Sequence, residues 1–307
     1  MSQQDFNQLV QIVLQDPSLS LMRPAIEKEI LHYDILFALK QAGLLESLVF
    51  QGGTSLRLCY GNKRFSEDLD FCGGHDFSTK DLEPIKACLE HYLGKRYGLE
   101  VKVKEPKSLK SELPYKDIQV DKWQVSIQTS PGRPDMPRQR IKLEVANVPA
   151  YTKELRTVSM NYQGLPDGYD QIFLHCESMN EIMADKLISL PACTSYIRNR
   201  DIWDLAWLKQ KGAQVDPALI AKKIADYQIE HYEDLLLALK QSLPKIVNSE
   251  SLRNEMQRFL PTPLFNNTFS QTGFDQYLHA TLAGLLDQVE EQVLNPIVNN
   301  GSPFNMN

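Results

Sequence analysis

One stretch constrains the fold more than any other: Gln51-Gly-Gly-Thr-Ser-Leu-Arg-Leu-Cys-Tyr-Gly-Asn-Lys-Arg-Phe-Ser-Glu-Asp-Leu-Asp-Phe71. It joins a Gly-Gly-Thr turn to Asp68 and Asp70, two residues apart in an apolar frame. In a strand, positions i and i+2 share a face, so the two carboxylates would project side by side. The paired glycines let backbone approach a bound group, and Thr54 is expected to open a short helix whose free N–H groups face an anion. Two carboxylates suited to a divalent metal, beside a helix start suited to phosphate, are what metal-assisted nucleotidyl transfer requires. A structural account stays open beside this one, in which Arg57 or Arg64 simply neutralises the aspartates.

Flanking periodicity tells where this turn sits. Helices are expected over 5–15 and 24–42, with Pro24 in a first turn and Gly43 as a stop. A buried strand over 47–51 would deliver the glycines, a helix would run from Thr54 to Tyr60, and a strand would carry Asp68 to Cys72. After a helix over 79–95 the pattern alternates apolar with polar near 99–104, 123–128 and 140–146, as half-exposed strands do. Extended pieces follow through 155–175. From Ser178 the pattern is helical: 179–190, 201–211, 216–226, 230–241, 244–259 and 274–294, with an irregular tail from Pro296. Ser178-Met-Asn-Glu181 reads as a capping box, Glu181 reaching back to the Ser178 amide. The expected division is an α/β unit with N-terminal helices over 1–175 and a helical unit over 176–307, meeting in a cleft.

A third carboxylate for a metal pair must lie on a neighbouring strand and share the face of the first two. Ile141, Leu143 and Val145 point one way on their strand, which leaves Lys142 and Glu144 on the other. Glu144 is the candidate; a solvent-facing Glu144 paired with Lys142 is the alternative. Asp117, Asp121 and Asp135 lie in turn-like surroundings and are poorer choices. Lys186 and the run Ile197-Arg-Asn-Arg-Asp-Ile-Trp-Asp-Leu205 form a second cluster. Lys186 suits phosphate as a compact charge. Asp201 and Asp204 are neighbours on one helix face, and Asp204 would orient Lys186. Arg198 and Arg200 would hold triphosphate or a nucleic-acid backbone. The plainer reading makes Lys186 a solvated residue and Arg200–Asp201 a helix-start pair. Arg133, Arg138, Arg140 and Lys142, around a proline-rich turn, are either an RNA-guiding patch or an ordinary soluble loop. Trp123, Trp203 and Trp207 are expected in the core, the last two against the sheet.

Composition removes several function classes. The net charge of −6 argues against broad coating of nucleic acid while leaving room for a local basic groove. No apolar run reaches the roughly 20 residues of a membrane span, and no basic-then-apolar leader opens the chain. Five scattered cysteines without a C-x-x-C pair suit a reducing cytoplasm and disfavour a disulfide framework or a zinc site. P-loop, dinucleotide, hydrolase-elbow and zincin motifs are missing.

Gly52-Gly-Thr-Ser-Leu-Arg-Leu58, then Arg64-Phe-Ser-Glu-Asp-Leu-Asp70, resembles the first motif of the AbiEii/AbiGii-type nucleotidyltransferases, the toxin halves of type IV toxin–antitoxin pairs within the DNA polymerase β-like superfamily. Lys186 and Arg200-Asp-x-x-Asp-Leu205 resemble the family's downstream motifs. Gln51 and Asn199 depart from the basic residues many relatives carry there. The resemblance implies an α+β polymerase β-like core with a mixed sheet, followed by a helical C-terminal domain. It implies Asp68, Asp70 and Glu144 as ligands of Mg2+ or Mn2+. Gly52, Gly53, Thr54, Ser55, Arg64, Lys186, Arg198 and Arg200 would bind the nucleoside triphosphate, with Lys186 and Asp204 joining the carboxylates in catalysis. It further implies the 3′ end of tRNA as acceptor, growth arrest of the abortive-infection kind, and a winged-helix antitoxin of the AbiEi type as partner. An acceptor that is a small molecule such as an antibiotic, or a protein, is the first alternative; an inactive interaction protein of the same fold is the second.

Overall fold

The alternating segments pair into the broad part of one sheet. The computed structural model describes residues 5–110, 118–133, 135–166 and 168–295; Asp117 and the tail from Pro296 lie outside the described residues. The strands are β1 (Val49–Gln51), β2 (Leu69–Cys72), β3 (Val101–Lys104), β4 (Val120–Ile127), β5 (Gln139–Ala146), β6 (Glu154–Thr157) and β7 (Phe173–Cys176). They form a seven-stranded mixed sheet in the order β3-β4-β5-β2-β1-β7-β6. β2 is parallel to β5 and β1 to β7, while the other neighbours are antiparallel. The short strands β1 and β2 sit towards the centre, between the eight-residue β5 on one side and β7 on the other.

Helices α1 (Phe6–Val13), α2 (Arg23–Gln41) and α4 (Ile85–Tyr97) share a core with one sheet face, where Trp123, Val125, Ile141, Leu143 and Val145 are fully buried. Helix α3 (Gly52–Cys59) follows β1 directly. Then come α5 (Met179–Ala192), α6 (Asn199–Gln210), α7 (Pro217–Asp226), α8 (Tyr232–Val247), α9 (Glu250–Phe259), α10 (Thr262–Asn266) and α11 (Phe274–Val289). These build a second core, to which α3 contributes Leu56. Val49, Cys72, Ala146 and Val148 form a small third cluster. Trp203 and Trp207 belong to the helical core, Trp203 stacking on Phe269, and not to the sheet as expected.

Several boundaries shift for identifiable reasons. Helix α3 starts at Gly52, two residues before Thr54, because Gly52 adopts φ +74° and turns the chain at once. The helix expected over 79–95 is a 3-10 turn, Thr79–Leu82, followed by α4, whose N-cap is Pro84. Helix α8 runs through Pro244 to Val247; the break comes at Ser249, whose hydroxyl accepts from the Leu252 amide and caps α9. At α5, Ser178 caps the Glu181 amide at 3.3 Å, but the Glu181 carboxylate does not return to Ser178. It accepts instead from the amides of Tyr151 and Thr152 at 2.8 and 2.6 Å, and Thr152 takes the Ser178 amide.

Candidate active site

Strand register sets the acidic floor. Asp70 on β2 lies level with Gln51 on β1 and with Glu144 on β5, and Glu144 lies level with Lys122 on β4. Asp68 sits just before β2, one rung away. Its carboxylate accepts from the Lys142 amide at 3.2 Å and faces the Lys142 ammonium at 3.5 Å. Leu69 between the two aspartates is fully buried and anchors them. The Thr54 hydroxyl donates to the Asp68 carbonyl, tying the start of α3 to the start of β2. Gly52 packs so tightly that a Cβ there would stand 2.9 Å from Oδ2 of Asp70.

Opposite lies a charged wall from α5 and α6. Lys186 Nζ stands 2.6 Å from Asp201 and 2.8 Å from Asp204. Burial works against its charge, but the two aspartates outweigh burial and raise its pKa. Burial likewise opposes ionisation of Asp204, yet Arg64 and Lys186 hold it below the usual carboxylate range. Arg64 makes a two-pronged contact with Asp204, Nε to Oδ1 at 2.8 Å and Nη2 to Oδ2 at 2.6 Å. Asn62 adds a third donor to Asp204 at 3.0 Å. Arg198 pairs with Asp201, and Arg200 reaches Glu67 at 3.2 Å and Glu255 at 3.4 Å.

Floor and wall enclose a cleft of about 690 Å³ lined by Asp68, Asp70, Lys142 and Glu144 on one side and Lys186, Arg198 and Arg200 on the other. Asp70, Glu144 and Lys186 thus share one space. Burial, then the charges of Glu144 and Asp68, push the Asp70 carboxyl up to about 7, with Lys186 and Arg198 pulling the other way. Crowded oxygen donors with a raised pKa are the chemistry that a hard divalent cation relieves. Among the described residues no three such side chains close into a metal-holding set. Asp68 is turned to Lys142, and Glu144 to Lys122 at 3.1 Å. Both lysines are at least half exposed, so these two pairings are weak.

The structure separates the expected residues into two groups. Asp68, Asp70, Glu144, Gly52, Lys186, Arg198 and Arg200 line the cleft. Gly53, Thr54, Ser55, Arg64 and Asp204 lie behind it. The space left by the missing side chain of Gly53 is filled by the Arg64 guanidinium and Ser66, and Thr54 and Ser55 are buried. Arg64 is engaged with Asp204 and does not line the cleft, and Asp204 in turn holds the Lys186 ammonium. Nor does arginine neutralise Asp68 and Asp70, since Arg57 is bound to Glu29 at 2.8 Å. Glu144 pairs with Lys122 and not with Lys142. Around the proline-rich turn, Arg133 pairs with Asp135 and Arg138 with Glu100, and only Lys142 of that cluster lines the cleft. Sequence reasoning passed over Lys122, Val120, Tyr227 and Ile229, which also line it. Period-two alternation places Lys122 and Val120 on the outward face of β4; nothing local marks the other two.

The profile of the nucleotidyl transferase AbiEii toxin of type IV toxin–antitoxin systems matches residues 34–280. No curated protein matches the chain. Among solved structures, the nucleotidyltransferase toxin MenT4 from Mycobacterium tuberculosis has a similar fold, with a TM-score of 0.54 and 19% identity over 92% of this chain and 90% of that one. JHP933 from Helicobacter pylori superimposes with a TM-score of 0.47 at 20% identity, over 87% of this chain and 94% of that one. With most of its length matched, and with the paired aspartates and the lysine facing each other in one cleft, the chain belongs to the AbiEii family of nucleotidyltransferase toxins.

Proposed function

We propose that this nucleotidyltransferase moves a nucleoside monophosphate from a nucleoside triphosphate to the 3′ end of a tRNA in the cytoplasm, blocking aminoacylation and arresting growth. The observation that carries the reading is the meeting of Asp70 and Glu144 with Lys186 across one cleft. Its volume falls in the usual range for small-ligand sites. Asp68, Asp70 and Glu144 would hold a divalent cation, Mg2+ or Mn2+, which supplies charge neutralisation at the transferred phosphoryl group.

The chain's own residues account for the rest. Lys186, fixed by Asp201 and Asp204, presents its ammonium to the phosphates without having to be reordered. Arg198 extends that positive wall, and Gly52 lets the backbone at the start of α3 approach them closely. The acceptor hydroxyl gives up its proton to solvent and its oxygen bonds to the α-phosphorus as the bond to the bridging oxygen breaks, and Lys186 stabilises the charge that gathers on pyrophosphate. Lys122, Lys142 and Arg200 give this acidic protein a local basic rim suited to a nucleic-acid backbone. Membership of a type IV toxin–antitoxin family supports a cognate antitoxin, of the winged-helix AbiEi type.

Incubation with each of the four α-phosphate-labelled nucleotides in turn, plus total RNA, tests the acceptor. Label in the tRNA fraction is expected. Label that appears only in protein or in an added antibiotic would reject tRNA and favour the corresponding alternative.

A further inference from the structure

One rung beyond the carboxylates the cleft floor changes character. Asp70, Glu144 and Lys122 form a charged rung across β2, β5 and β4; the next same-face rung is Cys72, Ala146 and Val120. Ala146 and Val120 line the cleft, and Val120 is 39% exposed, a large apolar side chain left open to solvent. Facing this rung is the turn that ends α7. Tyr227 packs partly against the small cluster that holds Cys72 and Ala146, and Tyr227 and Ile229 both line the cleft. The turn is firmly built. Ile229 N–H donates to the Ile224 carbonyl at 3.0 Å and Gln228 N–H to the Ala225 carbonyl at 3.1 Å. That is a Schellman closure, with Gln228 at φ +49° where glycine is usual.

The cleft is therefore divided lengthwise: charged around Lys186 and Asp70, apolar and aromatic one rung on. Two strand residues span about 7 Å, comparable to the reach from a 5′-phosphate across a ribose to its base. A bare polyphosphate uses only the charged part. A nucleotide carries groups complementary to both.

Resting on the nucleotidyl-transfer reading above, we propose that the base of the incoming nucleoside triphosphate lies over Val120 and Ala146 on the sheet and against the Tyr227 ring beside them, with the triphosphate directed toward Lys186 and Arg198. Tyr227 is then the platform that tells a nucleotide from a polyphosphate. Ile229 closes the same side.

Calorimetric titration of the full chain with Mg2+, using each of the four nucleoside triphosphates and inorganic tripolyphosphate, tests this on Tyr227→Ala and Val120→Glu. Loss of a stacking platform should weaken nucleotide binding at least about fivefold in both variants, while tripolyphosphate stays within about twofold of wild type. Val120 is already partly exposed, so Val120→Glu keeps the test readable if loss of the Tyr227 ring disturbs packing. Unchanged nucleotide affinity in both variants, or equal weakening of nucleotide and tripolyphosphate, would overturn the base placement. Wild-type protein that binds tripolyphosphate but no nucleotide would overturn it as well. Wild-type protein that binds neither would remove the transfer reading on which the placement rests.

Discussion

Gly52 holds φ +74° in contact with Asp70, so no other residue fits without both strain and displacement. Gly52→Ala should cost about 1–2 kcal/mol for the left-handed backbone and should also push Asp70 out of level with Glu144. Urea denaturation reads the first effect and nucleotide transfer per folded molecule the second. Transfer that survives undiminished in folded Gly52→Ala would show that the Gly52–Asp70 contact is dispensable. At this scale the acidic floor was legible, because alternation alone puts Asp68, Asp70 and Glu144 on outward faces. The fate of Arg64 was not. It depends on Asp204, 140 positions away, and no local pattern reveals a partner at that distance.

Among the elements, α5 and α7 are joined by a charge cluster that the mechanism does not use. Lys223 is fully buried and touches Glu177 at 2.8 Å, Glu181 at 2.8 Å and Asp185 at 3.1 Å. Burial raises the carboxyl of Glu177 well above its ordinary value and raises that of Asp185, with Lys223 opposing both. A carboxyl whose pKa is raised on folding binds its proton more tightly in the folded state, so it costs stability as pH rises above the ordinary carboxylate value. Lys223→Met removes the opposing charge and enlarges that cost. The variant should lose about 3–5 kcal/mol at pH 8 and regain part of it at pH 5, measured by urea denaturation at both values. An equal loss at the two values would contradict the sign. Cap and breaker residues and apolar periodicity located α5, α6, α7 and α11 closely, although α5 and α6 are buried almost all round. It misplaced the α8–α9 break, where Pro244 reads as a breaker while the cap at Ser249 decides. Lys223 reads as one more surface lysine until tertiary packing encloses it.

Across the whole molecule, the Arg64–Asp204 contact ties the loop before β2 to α6, and the Phe65 amide donates to the Phe259 carbonyl at 2.8 Å beside it. Sheet and helices are thus linked through the residues that position Lys186. Asp204→Asn leaves Arg64 and Lys186 buried with their shared partner gone, and should cost about 3 kcal/mol or more. Asp201 and Asp204 both have depressed pKa values, so the stability they contribute is present above pH 4 and is lost as pH falls below it. The gap between wild type and Asp204→Asn should therefore narrow toward pH 3; a gap that stays constant would contradict this origin. The mixed character of the sheet was implied only by the family resemblance, whereas strands followed by helices could be read from the switch in periodicity. The cleft's apolar extension could not, because it combines strand register with a turn at residue 227.

The central claim is that Asp70 serves transfer from within this cleft. Its most direct test is the yield of α-label transferred to RNA by equal amounts of folded wild-type protein and Asp70→Asn, with Mg2+ present. The account predicts robust transfer by the wild type and a loss of at least about a hundredfold in the variant, as expected when a charge-stabilising group in a phosphoryl-transfer site is removed. Equal transfer by the two proteins would contradict it.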